Sequence, residues 1–72
     1  MDQVFVITDD YIELNKLLKA SGVCDTGGQA KMIVEDGLVT VDGEIEMRKR
    51  RKVKDGMIVE YGAHRVKVVC KK

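Results

Sequence analysis

Two Asp-Gly pairs, Asp42-Gly43 and Asp55-Gly56, constrain this chain more than any other feature. Asp-Gly beside apolar, β-branched residues favours a tight turn, because Gly takes positive φ freely and Asp tolerates it. The first pair predicts a hairpin between a strand at residues 38–41 and a return at residues 44–47. The second predicts a turn into a strand at residues 57–61, joined through Gly62-Ala63 to a last strand at residues 65–70. In that last strand Val66, Val68 and Cys70 fall on one face, and Arg65 and Lys67 on the other.

The first half has another rhythm. Residues 3–8 are rich in β-branched and aromatic side chains and read as a strand. Asp10 then stands three residues before Glu13, the pattern of a capping box. Tyr11, Leu14, Leu17 and Leu18 follow at helical spacing, which predicts a helix ending near Ser21-Gly22. Thr26 and Gln29 repeat the capping pattern for a second helix, with Ala30, Ile33 and Val34 as its apolar stripe and Gly37 as its close. Gly27 and Gly28 occupy its first turn, where they weaken the start but let another backbone approach. The expected architecture is α+β in the order β-α-α-β-β-β-β, two short helices on a small sheet, with residues 1–72 as one domain.

Size and composition narrow the function. A chain of 72 residues buries only roughly 60% of its unfolded surface, so it holds one modest core and has little room for a deep cleft. The apolar runs are too short to span a membrane, and residues 1–2 lack the basic flank of a secretion signal. A cytoplasmic location is expected, with Cys24 and Cys70 as free, partly buried thiols. The only His and Ser, His64 and Ser21, have no evident catalytic partner, and His64 is expected as an exposed imidazole. Cys24, His64 and Cys70 have no metal-ligand spacing, and no GK[ST] follows Gly27-Gly28. No catalytic residue, metal or cofactor is expected.

The near-zero net charge of +1 conceals a split after Met47. Three lysines stand against ten carboxylates before that point, and ten cations against two carboxylates after it. Six of residues 48–54 are cationic: Arg48, Lys49, Arg50, Arg51, Lys52 and Lys54. Like charges this close repel, so the run needs counter-charges. One reading is a solvated loop paired with the acidic first half. The other is a phosphate-contacting patch, in which arginine adds bidentate geometry. A localisation signal and an anionic-lipid patch share the composition, but only Val53 interleaves the run, which speaks against a lipid-binding helix. Lys31 is the one cation on the second helix, so readout of the DNA major groove by that helix is not expected. Phe5, Tyr11 and Tyr61 are the only aromatic residues, too few for a base-stacking platform, and Phe5 and Tyr11 are expected in the core. Backbone and shape recognition of a folded RNA remains.

These residues also resemble a known family. Leu14-Asn15-Lys16-Leu17-Leu18, Thr26-Gly27-Gly28-Gln29-Ala30-Lys31, Gly37-Leu38-Val39-Thr40-Val41-Asp42-Gly43, the cations that follow and Asp55-Gly56-Met57-Ile58-Val59 are similar, over residues 12–60, to the RNA-binding domain named after small-subunit ribosomal protein S-four, the alpha-L motif. The short length resembles its stand-alone bacterial branch, the YbcJ and YaaA type. The resemblance implies binding of structured RNA, ribosomal or transfer RNA included, with the ribosome or its precursors as a partner; a non-enzymatic monomer is expected. By position it implies contacts from Lys16, Lys19, Thr26, Gln29, Lys31, Arg48, Lys49, Arg50, Arg51 and Lys52, with Lys54 close by. Thr26-Gly27 stands where most members carry Ser-Arg, which leaves Lys31 as the nearby cation. The alternative function is a small protein-interaction or adaptor module.

Overall fold

The computed structural model describes residues 2–71. Alternation of apolar and polar side chains builds one mixed sheet in the order β1-β7-β6-β3-β4. Its strands are β1 (Asp2–Ile7), β3 (Val39–Val41), β4 (Glu44–Ile45), β6 (Ile58–Tyr61) and β7 (His64–Cys70). A separate ribbon pairs β2 (Tyr11–Glu13) with β5 (Lys52–Lys54). The helices are α1 (Leu14–Ala20) and α2 (Gly27–Glu35). The class is α+β, as expected.

β1 runs parallel to β7, and the other pairs in the sheet are antiparallel. The register places Phe5 beside Val68, Val66 beside Val59, and Val59 beside Val41. With Ile7 and Val39, these side chains form the inner face. Leu14, Leu17 and Leu18 of α1 and Ala30, Ile33 and Val34 of α2 complete the core. Each fully buried aliphatic side chain contributes roughly 1.5–3 kcal/mol, which makes this cluster the main stabilising element of so short a chain. The opposite face carries Val4, Val6, Arg65 and Lys67, all exposed or half-buried.

The second helix follows its sequence signals. Thr26 Oγ1 accepts the Gln29 amide at 3.1 Å, and Gln29 Oε1 accepts the Asp25 amide at 3.1 Å. This is a capping box shifted by one residue, and it satisfies two backbone donors at the helix start. A side chain at Gly27 would meet nothing within 4 Å and one at Gly28 only Thr26 Oγ1 at 3.9 Å, so among the described residues no neighbouring backbone uses the space these glycines leave. At the hairpin Asp42 and Gly43 both have positive φ, 52° and 85°, as the expected tight turn requires.

The start of α1 departs from expectation. Tyr11, Ile12 and Glu13 form a strand, and α1 starts only at Leu14. Glu13 is the N-cap residue without a side-chain cap, so the Asp10–Glu13 pattern does not open the helix. The reason is non-local: Tyr11, Ile12 and Glu13 pair with Lys54, Val53 and Lys52, a ladder that places Val53 wholly inside the core. The described residues therefore form seven strands rather than five. Tyr11, expected in the core, is 40% exposed. The return strand expected at residues 44–47 ends at Ile45, where Glu46 turns inward.

Candidate nucleic-acid interface

The basic residues belong to two local structures. Residues 46–51 form a loop leaving β4, and Lys52–Lys54 is β5. The loop is fixed through its backbone to the start of α1. The amides of Leu14 and Asn15 donate to the carbonyls of Arg51 and Lys49, both at 2.9 Å. These carbonyls replace the missing side-chain cap and satisfy first-turn donors of the helix. A further bond from the Arg51 amide to the Arg48 carbonyl, 3.1 Å, closes the loop into a turn. On this held backbone the side chains of Met47, Arg48 and Arg50 are exposed, whereas Glu46 is buried.

Glu46 organises those side chains. The residue is only 8% exposed, yet its carboxylate receives four hydrogen bonds. Arg48 supplies its amide at 3.1 Å, Nε at 2.9 Å and Nη2 at 3.2 Å, and Arg51 supplies Nη1 at 2.9 Å. Hydrogen bonding from Arg48, helped by Arg51, outweighs desolvation and holds Glu46 down at about 2. The carboxylate therefore stays ionised and keeps two guanidinium groups in fixed positions. Bidentate contacts of this kind are geometrically specific as well as strong.

Two more acids from the first half return to the loop. Glu13 accepts from Arg50 Nε at 3.2 Å and lies 3.6 Å from Lys16. The bond from Arg50, with the nearby positive charges, lowers the Glu13 pKa. Glu35, in the last turn of α2, lies 3.5 Å from Lys49. Carboxylates of the acidic half thus pair with cations of the loop, as the reading of a solvated, charge-paired loop requires. Among the described residues the counter-charge consists of three carboxylates against five cations, with Glu46 and Glu13 each shared by two. Arg48 and Arg50 side chains nevertheless remain 74% and 77% exposed, leaving most of each surface free to meet a ligand. Lys52 lies 5.0 Å above the Tyr11 ring, a cation–π contact across the β2–β5 ribbon.

The concave surface joins α1, α2 and the loop. One hollow of about 300 Å³ is lined by Lys16, Lys31, Lys49 and Arg50 with Asn15 and Glu13. A wider groove of about 640 Å³ lies along Arg48, Lys49, Arg50, Arg51 and Lys52, with Met47 and Glu35. These two share Lys49 and Arg50, so Lys16 and Lys31 from the helices form one surface with the loop. Lys19 and Lys54 are exposed but line neither hollow. Thr26 and Gln29 are engaged in capping α2. The residues that sequence reasoning passed over are Glu46, Glu13, Glu35 and Tyr11. Nothing in the sequence separates Glu46 from Glu44, since only the end of β4 decides which of them turns inward.

Among the described residues no cluster of His, Cys, Asp and Glu could hold a metal ion, and no helix is long and apolar enough to cross a membrane. Cys24 and Cys70 are free, the first buried and the second half-buried. His64, expected as an exposed imidazole, begins β7 and is half-buried.

Comparison with known proteins agrees with this architecture. YbcJ of Escherichia coli (strain K12) is 44% identical over 60 residues, covering 83% of this chain and 86% of that protein. YbcJ of Shigella flexneri matches with the same identity and coverage. The solution structure of Escherichia coli YbcJ, whose alpha-L motif is described as involved in RNA-binding, superposes with a TM-score of 0.72 at 40% identity. That superposition covers 92% of this chain and 85% of the other. Residues 5–69 match the S4 domain, a span that includes both helices, the ribbon and the cationic loop, and this chain belongs to the S4 domain family.

Proposed function

We propose that this chain is a non-enzymatic module that binds structured RNA by phosphate and shape recognition. The observation that carries the reading is the anchored cationic loop. Its backbone is held by α1 and its arginines by a buried carboxylate, while the cationic heads stay exposed beside Lys16 and Lys31. Such pre-positioned cations lose little freedom when they meet phosphates. The surface has few exposed aromatic rings, and Tyr11 already carries Lys52 on its face, which favours a folded RNA over splayed single strands. The alpha-L motif of the related YbcJ is described as involved in RNA-binding, which supports the same reading. Ribosomal or transfer RNA in the cytoplasm, on the ribosome or its precursors, is the ligand class that this mode fits.

The test is binding to a folded RNA across a salt series, with a Lys31→Ala, Lys49→Ala, Arg50→Ala variant beside the parent chain. None of these three side chains holds Glu46, and Lys49 caps α1 through its carbonyl, so the fold should survive. Affinity should fall, and the slope of log affinity against log salt should flatten by roughly 2–3, about one for each phosphate no longer neutralised. An unchanged slope removes this surface from the interface. Absence of RNA binding by the parent chain at low salt removes the RNA reading itself and favours a protein partner.

A further inference from the structure

We infer that the free edge of β1 is a self-association surface, which pairs antiparallel with β1 of a second copy of this chain. Among the described residues, β1 pairs with β7 alone, so its other side is an unpaired row of backbone groups. The Lys71 amide donates to the Ile7 carbonyl at 2.9 Å, which places the peptide groups of residue 7 on the β7 side. Backbone groups alternate along a strand, so those of Val4 and Val6 point out to the free edge.

Proteins ordinarily protect such an edge by brevity, a bulge, a proline or a charge. β1 has six residues, and between Asp2 and Asp9 the chain carries no charge and no proline. Val4 and Val6 are 62% and 49% exposed on the outer face, although both lie inside a regular strand.

The strand is complementary to itself. With a two-fold axis through Phe5, Val4 lies opposite Val6 of the other copy, and Val6 opposite its Val4. Both residues have outward-pointing amides and carbonyls, so each opposed pair exchanges two main-chain hydrogen bonds. Gln3 then meets Ile7, and Asp2 meets Thr8, so no like charges are opposed. The absence of a cation from residues 2–8 argues against a nucleic acid on this edge. The contact is one strand wide, well below a standard interface, so the dimer is weak and forms with rising concentration. The product is a continuous ten-stranded sheet whose cationic loops, each following β4, lie at opposite ends.

Sedimentation velocity on the full chain from about 10 μM to 1 mM should show a monomer giving way to a dimer, with a midpoint on the order of 100 μM. Hydrogen exchange at the Val4 and Val6 amides should slow over the same range, while those of Phe5 and Ile7, which face β7, hold steady. A Val4→Glu, Val6→Glu variant should stay monomeric, as should Val4→Lys, Val6→Lys. An equimolar mixture of the two should associate, because opposite charges then face each other across the edge. A chain that remains monomeric at about 1 mM overturns the proposal. So does a dimer that persists in both variants, or one that forms without protection of Val4 and Val6. If a variant fails to fold by circular dichroism, concentration-dependent exchange in the parent chain decides alone.

Discussion

The two edges of the main sheet are built on opposite plans. At one edge β4 lasts two residues before the chain turns away into a loop of fixed cations. At the other β1 runs six residues with exposed valines and no charge along its middle. Brevity and charge close the first edge to strand pairing, whereas the second retains the features that invite it. The sheet ends at Ile45, immediately before the buried Glu46 and the cations that follow it, so the closed edge and the charged run adjoin. The loop is then tied back by the β2–β5 ribbon and the start of α1, so the charged edge is held in place without belonging to the sheet.

The largest effect should come from cutting the anchor of the charged edge. Val53 is wholly buried and is the one apolar residue of β5. Val53→Ala should cost about 2 kcal/mol in urea unfolding, through reduced transfer energy plus a cavity. It should also weaken RNA binding by loosening the loop. A variant with full stability would mean that the ribbon is not what holds this edge.

Next in size is Glu46→Gln, which keeps the shape but removes the charge that holds Arg48 and Arg51. A fall in Tm of roughly 5 °C is expected from weakening these charge-assisted bonds in so small a domain. RNA affinity should fall too, even though a negative charge has been removed. If affinity rises instead, Glu46 merely offsets its arginines, and positioning is not its role.

The smallest effect is a pH dependence. Glu46 has a folded pKa of about 2 against an ordinary 4.5, so it binds protons more weakly when folded. Its contribution is therefore complete above about pH 4.5 and disappears as the pH falls towards about 2. The lowered pKa of Glu13 acts in the same direction. Thermal melts should show the stability gap between the parent chain and Glu46→Gln closing across this window. A gap that stays constant down to about pH 2 would mean that the charge on Glu46 contributes nothing to stability.

Most of the regular structure is legible in local signals. The Thr26 cap, the Ala30-Ile33-Val34 stripe, the Asp42-Gly43 turn and the alternation in β7 each depend on residues close in sequence, and each stands in the structure. The cationic run is equally legible as a candidate site, because charge density needs no fold to be seen. Residues 10–13 mislead for the complementary reason. Their helical signal is local, whereas β2 exists only because β5, about forty residues later, supplies its partner.

Local signals suffice to specify an α+β class, the second helix, the hairpin turn and the place of the cations. Periodicity, capping and positive φ are short-range requirements that a few neighbouring residues satisfy. Long-range packing alone buries Glu46 beneath two arginines, brings Lys16 and Lys31 to the loop, and leaves β1 with a neighbour on one side alone among the described residues. Each of these depends on which distant segments meet. Burial, charge pairing and unpaired edges are properties of that meeting rather than of any residue in it.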